Sequence, residues 1–124
     1  MVASKQKATS LSELGSDSLG ELGLVLSDVE RLLFQAFSPY KVIFSKLGFS
    51  EGFNCHFHAV PVGTDMLDEV KKQSNLADNP NGLDVFYHIN KHYCDTRSGD
   101  QLDRSIHEAI ANLKHIQTAC RVRR

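Results

Sequence analysis

The chain has 124 residues, 41% hydrophobic and 23% charged, with a formal net charge of -1. That length supports one domain, residues 1–124, built on one core, and the composition excludes bulk disorder and collagen-like sequence. A charge so near zero excludes a strong field for gathering nucleic acid, so the basic end "RVRR" reads as a solvated tail and no nucleic-acid partner is expected.

Three cysteines, Cys55, Cys94 and Cys120, are odd in number and contain no C-x-x-C pair. They argue for reduced thiols rather than a disulfide framework or a zinc knuckle. The start "MVASKQKATS" has no apolar core of signal-peptide length, and no apolar run approaches a membrane span. A soluble cytoplasmic protein with no membrane partner is expected.

Along the chain, Ser10 stands three residues before Glu13, the spacing of a capping box, which predicts a first helical turn there. After Gly15, with Ser16 or Ser18 as cap, Leu19, Leu22, Leu26, Val29 and Leu33 recur every three or four residues. They predict a core-facing helix of about five turns. Gly20 and Gly23 weaken it by about 1 kcal/mol each relative to alanine, which suggests a closely packed neighbouring backbone. Pro39 ends it.

The stretches "YKVIFSKL" and "CHFHAVPV" are rich in β-branched and aromatic residues and flank the turn-like "GFSEG". They predict an antiparallel hairpin. Pro61 argues against a mid-sheet position for the end of the second strand. Thr64 is the expected cap of a short helix "DMLDEVKKQ", followed by the polar loop "NLADNPNG". Two amphipathic helices are expected in a helical C-terminal part spanning 83–118. One is carried by Leu83, Phe86, Ile89 and Tyr93, the other by Leu102, Ile106, Ile110, Leu113 and Ile116. Asp84 and Asp95 bracket the first of these and suggest only solvation and capping. Helix, hairpin and helices make an α+β fold: an antiparallel sheet with a long helix packed on it, plus C-terminal helices.

The chemistry concentrates in "NCHFHAVPV", residues 54 to 62. Alternation along a strand puts Asn54, His56, His58 and Val60 on one side and Cys55, Phe57 and Ala59 on the other, the second set being a natural core face. Strand geometry spaces the two imidazoles about 7 Å apart. A neutral imidazole can attack phosphorus, and a protonated neighbour can donate to the oxygens on which charge develops. As a bare pattern, H-x-H also fits a solvated pair or a metal clasp.

A serine-rich start, a long helix, the strand "KVIFSKLG", a short turn and then "NCHFHAVPV" together resemble the histidine triad superfamily over residues 4 to 62. That family's signature is three histidines alternating with apolar residues, here falling on Asn54, His56 and His58. The resemblance implies a nucleotide or nucleoside phosphate as ligand, no cofactor, and hydrolysis or nucleotidyl transfer at the α-phosphate through a covalent nucleotidyl-histidine. His56 would be the nucleophile and His58 would bind phosphate oxygens. Asn54 departs from the pattern: its amide can donate but cannot carry charge or shuttle a proton. Leaving-group protonation, typically worth 10²- to 10⁴-fold in rate, then falls to another group or to water, and slow turnover or an altered substrate follows. Where the family commonly has Gly-Gln-Ser, this chain reads "FSEGFN". Ser50 can substitute there as a substrate-binding residue, whereas Glu51 repels phosphate unless turned away. Lys7 stands where a histidine often does, and the strands that precede this point in the family are missing, as in an N-terminally shortened relative or a chain whose start lies upstream.

Two other classes compete. Without catalysis, the chain would be a nucleotide-binding or interaction module, for which Asn54 and an open strand edge argue; the apolar stripe of the long helix makes a homodimer the expected assembly. Alternatively, His88 and His92, at i and i+4, could join His56 and His58 in a four-histidine metal site for metal-dependent hydrolysis. Against it, His88, His92, His107 and His115 also read as helix-surface residues.

Overall fold

The computed structural model describes residues 1–48, 51–94 and 111. In chain order its elements are β1 (Val2–Ala3), a 3₁₀ turn (Leu11–Glu13), α1 (Ser16–Phe37), β2 (Lys41–Ser45), β3 (His56–Val62), α2 (Thr64–Ser74), α3 (Gly82–Ile89) and a π-helical turn (Asn90–Cys94). The fold is α+β, a small three-stranded antiparallel sheet with three α-helices among the described residues. The stretch expected to form the second C-terminal helix, with His107 and His115, falls outside the described residues apart from Ala111, which is helical.

The expected first turn forms, but not as a capping box. The Ser10 side chain accepts no backbone N–H; instead the Glu13 carboxylate receives the Thr9 N–H, the Thr9 hydroxyl and the Ser10 hydroxyl. Those three bonds hold the Glu13 carboxyl below its usual range, the Thr9 amide contributing most. Helix α1 is capped by Gly15, not by Ser16 or Ser18. The Ser18 hydroxyl is turned to the Gln6 side chain, 3.4 Å away, which ties the N-terminal segment to the first turn of the helix. At the other end Ser38 takes a left-handed conformation, φ 46°, and its amide bonds the Phe34 carbonyl; Pro39 follows, buried. The stripe is graded rather than uniform: Leu33 is buried, Leu22, Leu26 and Val29 are half-buried, and Leu19 is exposed. Among the described residues, neither Gly20 nor Gly23 has an atom from outside its own stretch of helix within 4 Å of the place a side chain would occupy, so none of their backbone packs close there, contrary to the expectation from sequence.

The hairpin forms as expected, with β2 and β3 antiparallel from Lys41↔Val62 to Ser45↔His58. Strand β3 is nevertheless the middle strand of the order β1-β3-β2. Pro61 is tolerated there because β1 reaches only Phe57 and His56. Beyond them the β1 side of β3 has no strand partner among the described residues, so the N–H that proline lacks is not missed.

The principal core lies on the histidine face of β3, not on the Cys55–Phe57–Ala59 face. Val62 packs with Val70 of α2 and Val85 of α3, joined by Ile43, Met66, Leu67 and Ile89. The cause is the turn at Gly63, which caps α2 in place of Thr64 and sends the chain back across that face. Helix α1 covers the opposite face, where Leu22 and Val25 meet Cys55 and Phe57 around a cavity. Helix α3 starts at a complete capping box of Asn81 and Asp84, the capping role foreseen for Asp84. Its buried face differs from the one expected: Val85 and His88 are buried, while Leu83 is 79% exposed. The helix is docked through residues half a turn round from the leucine, because Val85 is the side chain that reaches Val62.

Val70 is 0% exposed at the centre of this cluster. Val70→Ala is expected to cost about 2 kcal/mol of unfolding free energy. Gly20→Ala, on an open helix surface, is expected to add up to about 1 kcal/mol. Urea unfolding of both variants checks the pair, and destabilisation by Gly20→Ala would show a neighbour that the fold does not place there.

Candidate functional site

The start of β3 carries the site. His56 and His58 project to the same side, as the alternation requires, and both are half-buried. Their Nε2 atoms are 3.1 Å apart, and the rings meet edge to face with centroids 5.0 Å apart. This is closer than the spacing of an ideal strand, because the rings lean together.

Protonation follows from the partners. His56 Nδ1 lies 2.7 Å from the backbone carbonyl oxygen of Asn54. A carbonyl oxygen can only accept, so Nδ1 carries the hydrogen, and in the neutral ring the lone pair sits on Nε2. For the 3.1 Å contact to be attractive, neutral His58 must then donate its own Nε2–H to that lone pair. Burial, with His56 close by, holds His58 below its ordinary value of 6.5. The result is an imidazole of fixed tautomer whose nucleophilic nitrogen faces a neutral neighbour able to donate.

Three further residues shape the surroundings. A side-chain carbon on Gly48 would stand 3.1 Å from His56 Cε1, so glycine at 48 leaves the imidazole its place. Ser45, opposite His58 in the hairpin register, has a buried hydroxyl with no hydrogen-bond partner among the described residues. Such a group is costly to bury and is worth an explanation. The Phe53 ring, 59% exposed, lies tilted with its centroid 6.3 Å from that of His56. None of these three was singled out from sequence. The hairpin register could have pointed to Ser45, once β2 and β3 were paired.

Asn54 is placed differently from its two companions. It precedes β3, its amide donates to the Ser4 carbonyl at 3.5 Å, and it serves His56 through its main chain. Ser50 lies outside the described residues. Glu51 is exposed to solvent.

The four-histidine metal site is not formed. His88 and His92 pair with each other, ring centroids 4.6 Å apart, and among the described residues no group of three or more His, Cys, Asp or Glu could hold a metal ion. Nor is His88 a surface residue: it is 4% exposed and faces Glu69 of α2, 3.7 Å away. Docking of α3 on Val62 carries this pair to the packed end of the sheet face, past the end that holds His56 and His58.

No helix among the described residues is long and apolar enough to cross a membrane. Comparison of the chain with protein-family models, with curated proteins and with solved structures finds no match.

The depressed value of His58 has a consequence for stability. The unfolded chain takes up a proton at His58 near pH 6.5, whereas the folded chain does so only at lower pH. Stability present above that value is therefore lost as the pH falls through the folded-state value. Urea midpoints are expected to drop from about pH 7.5 to about pH 5 more steeply for the native chain than for His58→Gln. NMR titration of the His58 Cε1 proton should give a value below 6.5; a value at or above it would remove the assigned environment.

Proposed function

We propose that the chain is a histidine-triad-like nucleotide-binding protein that hydrolyses or transfers a nucleotidyl group at the α-phosphate, with His56 as nucleophile. One observation carries the reading: the Asn54 carbonyl holds the proton on His56 Nδ1, so the lone pair is on Nε2, beside the donor nitrogen of His58.

In the proposed step, a substrate phosphate displaces the His58 hydrogen from the His56 lone pair and takes that hydrogen bond on one of its own oxygens. His56 Nε2 then bonds to the α-phosphorus while the bond from phosphorus to the leaving group breaks. The imidazolium so formed keeps its Nδ1–H on the Asn54 carbonyl, which stabilises the positive charge. Water or a second acceptor displaces the nucleotidyl group in turn, and a proton from water ends on the leaving group. Ser45, with its hydroxyl unpartnered among the described residues and across from His58, is suited to a phosphate oxygen, and the exposed ring of Phe53 offers a face for stacking a base. Self-association as a homodimer would use the outer edge of β2, which has no strand partner among the described residues.

A second reading, nucleotide binding without turnover, is favoured by Asn54. Its amide is bonded to the Ser4 carbonyl and has no proton to pass to a leaving group.

Incubation with a nucleoside phosphoramidate or a dinucleoside polyphosphate is expected to release nucleoside monophosphate. His56→Ala should reduce that rate by about a thousandfold or more. Unchanged release by His56→Ala would end the nucleophile assignment, and saturable nucleotide binding with no release by the native chain would select the second reading. Gly48→Ala is expected to lower kcat about tenfold while leaving the melting temperature nearly unchanged, because the added methyl displaces the His56 ring and little else. A loss of stability without a loss of rate would contradict that role.

A further inference from the structure

On the face of β3 turned away from the histidines lies a cavity of about 390 Å³, between the N-terminal segment, α1 and the start of β3. Its size is at the lower end for small-molecule sites, and one end is apolar, with Leu22 and Val25 of α1 facing Val2 and Phe57. The rest of the lining is sorted by polarity. On α1, Ser18, Glu21, Leu22 and Val25 follow the i, i+3, i+4, i+7 spacing of one helix face, so a polar first turn gives way to an apolar second. On the N-terminal segment the order is reversed, with Val2 beside Phe57 and then Lys5 and Gln6, the latter reaching Ser18.

The polar groups are of opposite kinds. Lys5 brings an ammonium, and Gln6, whose Oε1 receives the Ser18 hydroxyl and the Gly15 amide, keeps its NH₂ hydrogens for a ligand. Facing them, Glu21 brings a carboxylate, and Ser18 keeps lone pairs on the oxygen that donates to Gln6. Lys5 and Glu21 line one cavity yet form no ion pair with each other among the described residues. An anion alone would meet Glu21, and a cation alone would meet Lys5. A wholly apolar molecule would leave both charges at its border unanswered. An occupant with both charges on one end and an apolar body on the other can pair with Lys5 and Glu21 and cover the apolar end at once.

We propose that this cavity binds a small zwitterion with an apolar body, of which L-phenylalanine and L-leucine are the simplest members. The carboxylate is taken by Lys5 and Gln6, the ammonium by Glu21 and Ser18, and the side chain by Leu22, Val25 and Phe57. The site is separate from the histidine pair and does not depend on the phosphate chemistry proposed for it.

Calorimetric titration of the full chain with L-phenylalanine tests the assignment, beside 3-phenylpropionate, which lacks the ammonium, and 2-phenylethylamine, which lacks the carboxylate. Saturable binding of L-phenylalanine is expected, about tenfold or more weaker for each analogue. Lys5→Ala and Glu21→Ala should each lower affinity for the amino acid by a similar factor; both residues are exposed, so their variants fold. Leu22→Ala should weaken the amino acid and both analogues alike. Absence of saturable binding by L-phenylalanine and L-leucine overturns the proposal, as does binding of either analogue equal to that of the amino acid, or affinity unaltered in both charge variants.

Discussion

A single hydrogen bond to the main chain, from His56 Nδ1 to the carbonyl two residues earlier, fixes the tautomer of His56, on which the proposed chemistry depends. It is local and needs no distant part of the fold to form, yet it settles which imidazole nitrogen carries a lone pair. Had a donor stood in that place, the tautomer would be reversed and the nitrogen facing His58 would be protonated. Asparagine at position 54 loses the charge a histidine would offer, but any residue supplies the carbonyl. In the proposed reaction, orientation of the nucleophile and proton supply to the leaving group are thus separable, and Asn54 would retain only the first.

Strand β3 sustains this arrangement by having different surroundings along one face. Its far end, at Val62, is packed against α2 and α3. Its near end is left with two half-buried imidazoles, a glycine that makes room for one of them, and a serine hydroxyl without a partner among the described residues. A buried hydroxyl left unpaired costs stability, roughly 1–3 kcal/mol where no water reaches it. Its position opposite His58 gives that cost a rationale, since an oxyanion bound by the histidine would also be within the reach of the hairpin neighbour. The neutral state favoured for His58 fits the same picture, since a neutral donor can hold an anion without first drawing away the lone pair of His56.

The opposite face is incompletely filled. Short side chains and charged residues on the first turns of α1 and on the N-terminal segment leave space over Cys55 and Phe57 among the described residues. Because β3 is shared, the two faces of one strand carry different groups, an imidazole pair above and an amphipathic cavity below.

Much of this was legible in the sequence. The long helix, the hairpin and the common direction of His56 and His58 follow from spacing alone, because periods of 3.6 and 2 fix which side chains share a face within one element. The caps were less legible: glycines took the positions expected of Ser16, Ser18 and Thr64, since the nearby hydroxyl of Ser18 found a partner in Gln6 that lies twelve residues away. What only the tertiary structure decided is which face meets which. The core on the histidine side, the burial of His88 against Glu69, the separation of the two histidine pairs and the orphaned hydroxyl of Ser45 all depend on where α2 and α3 come to rest. Periodicity describes a face of one element, whereas the partner of that face is chosen by packing between elements far apart in the chain, and no local spacing encodes it.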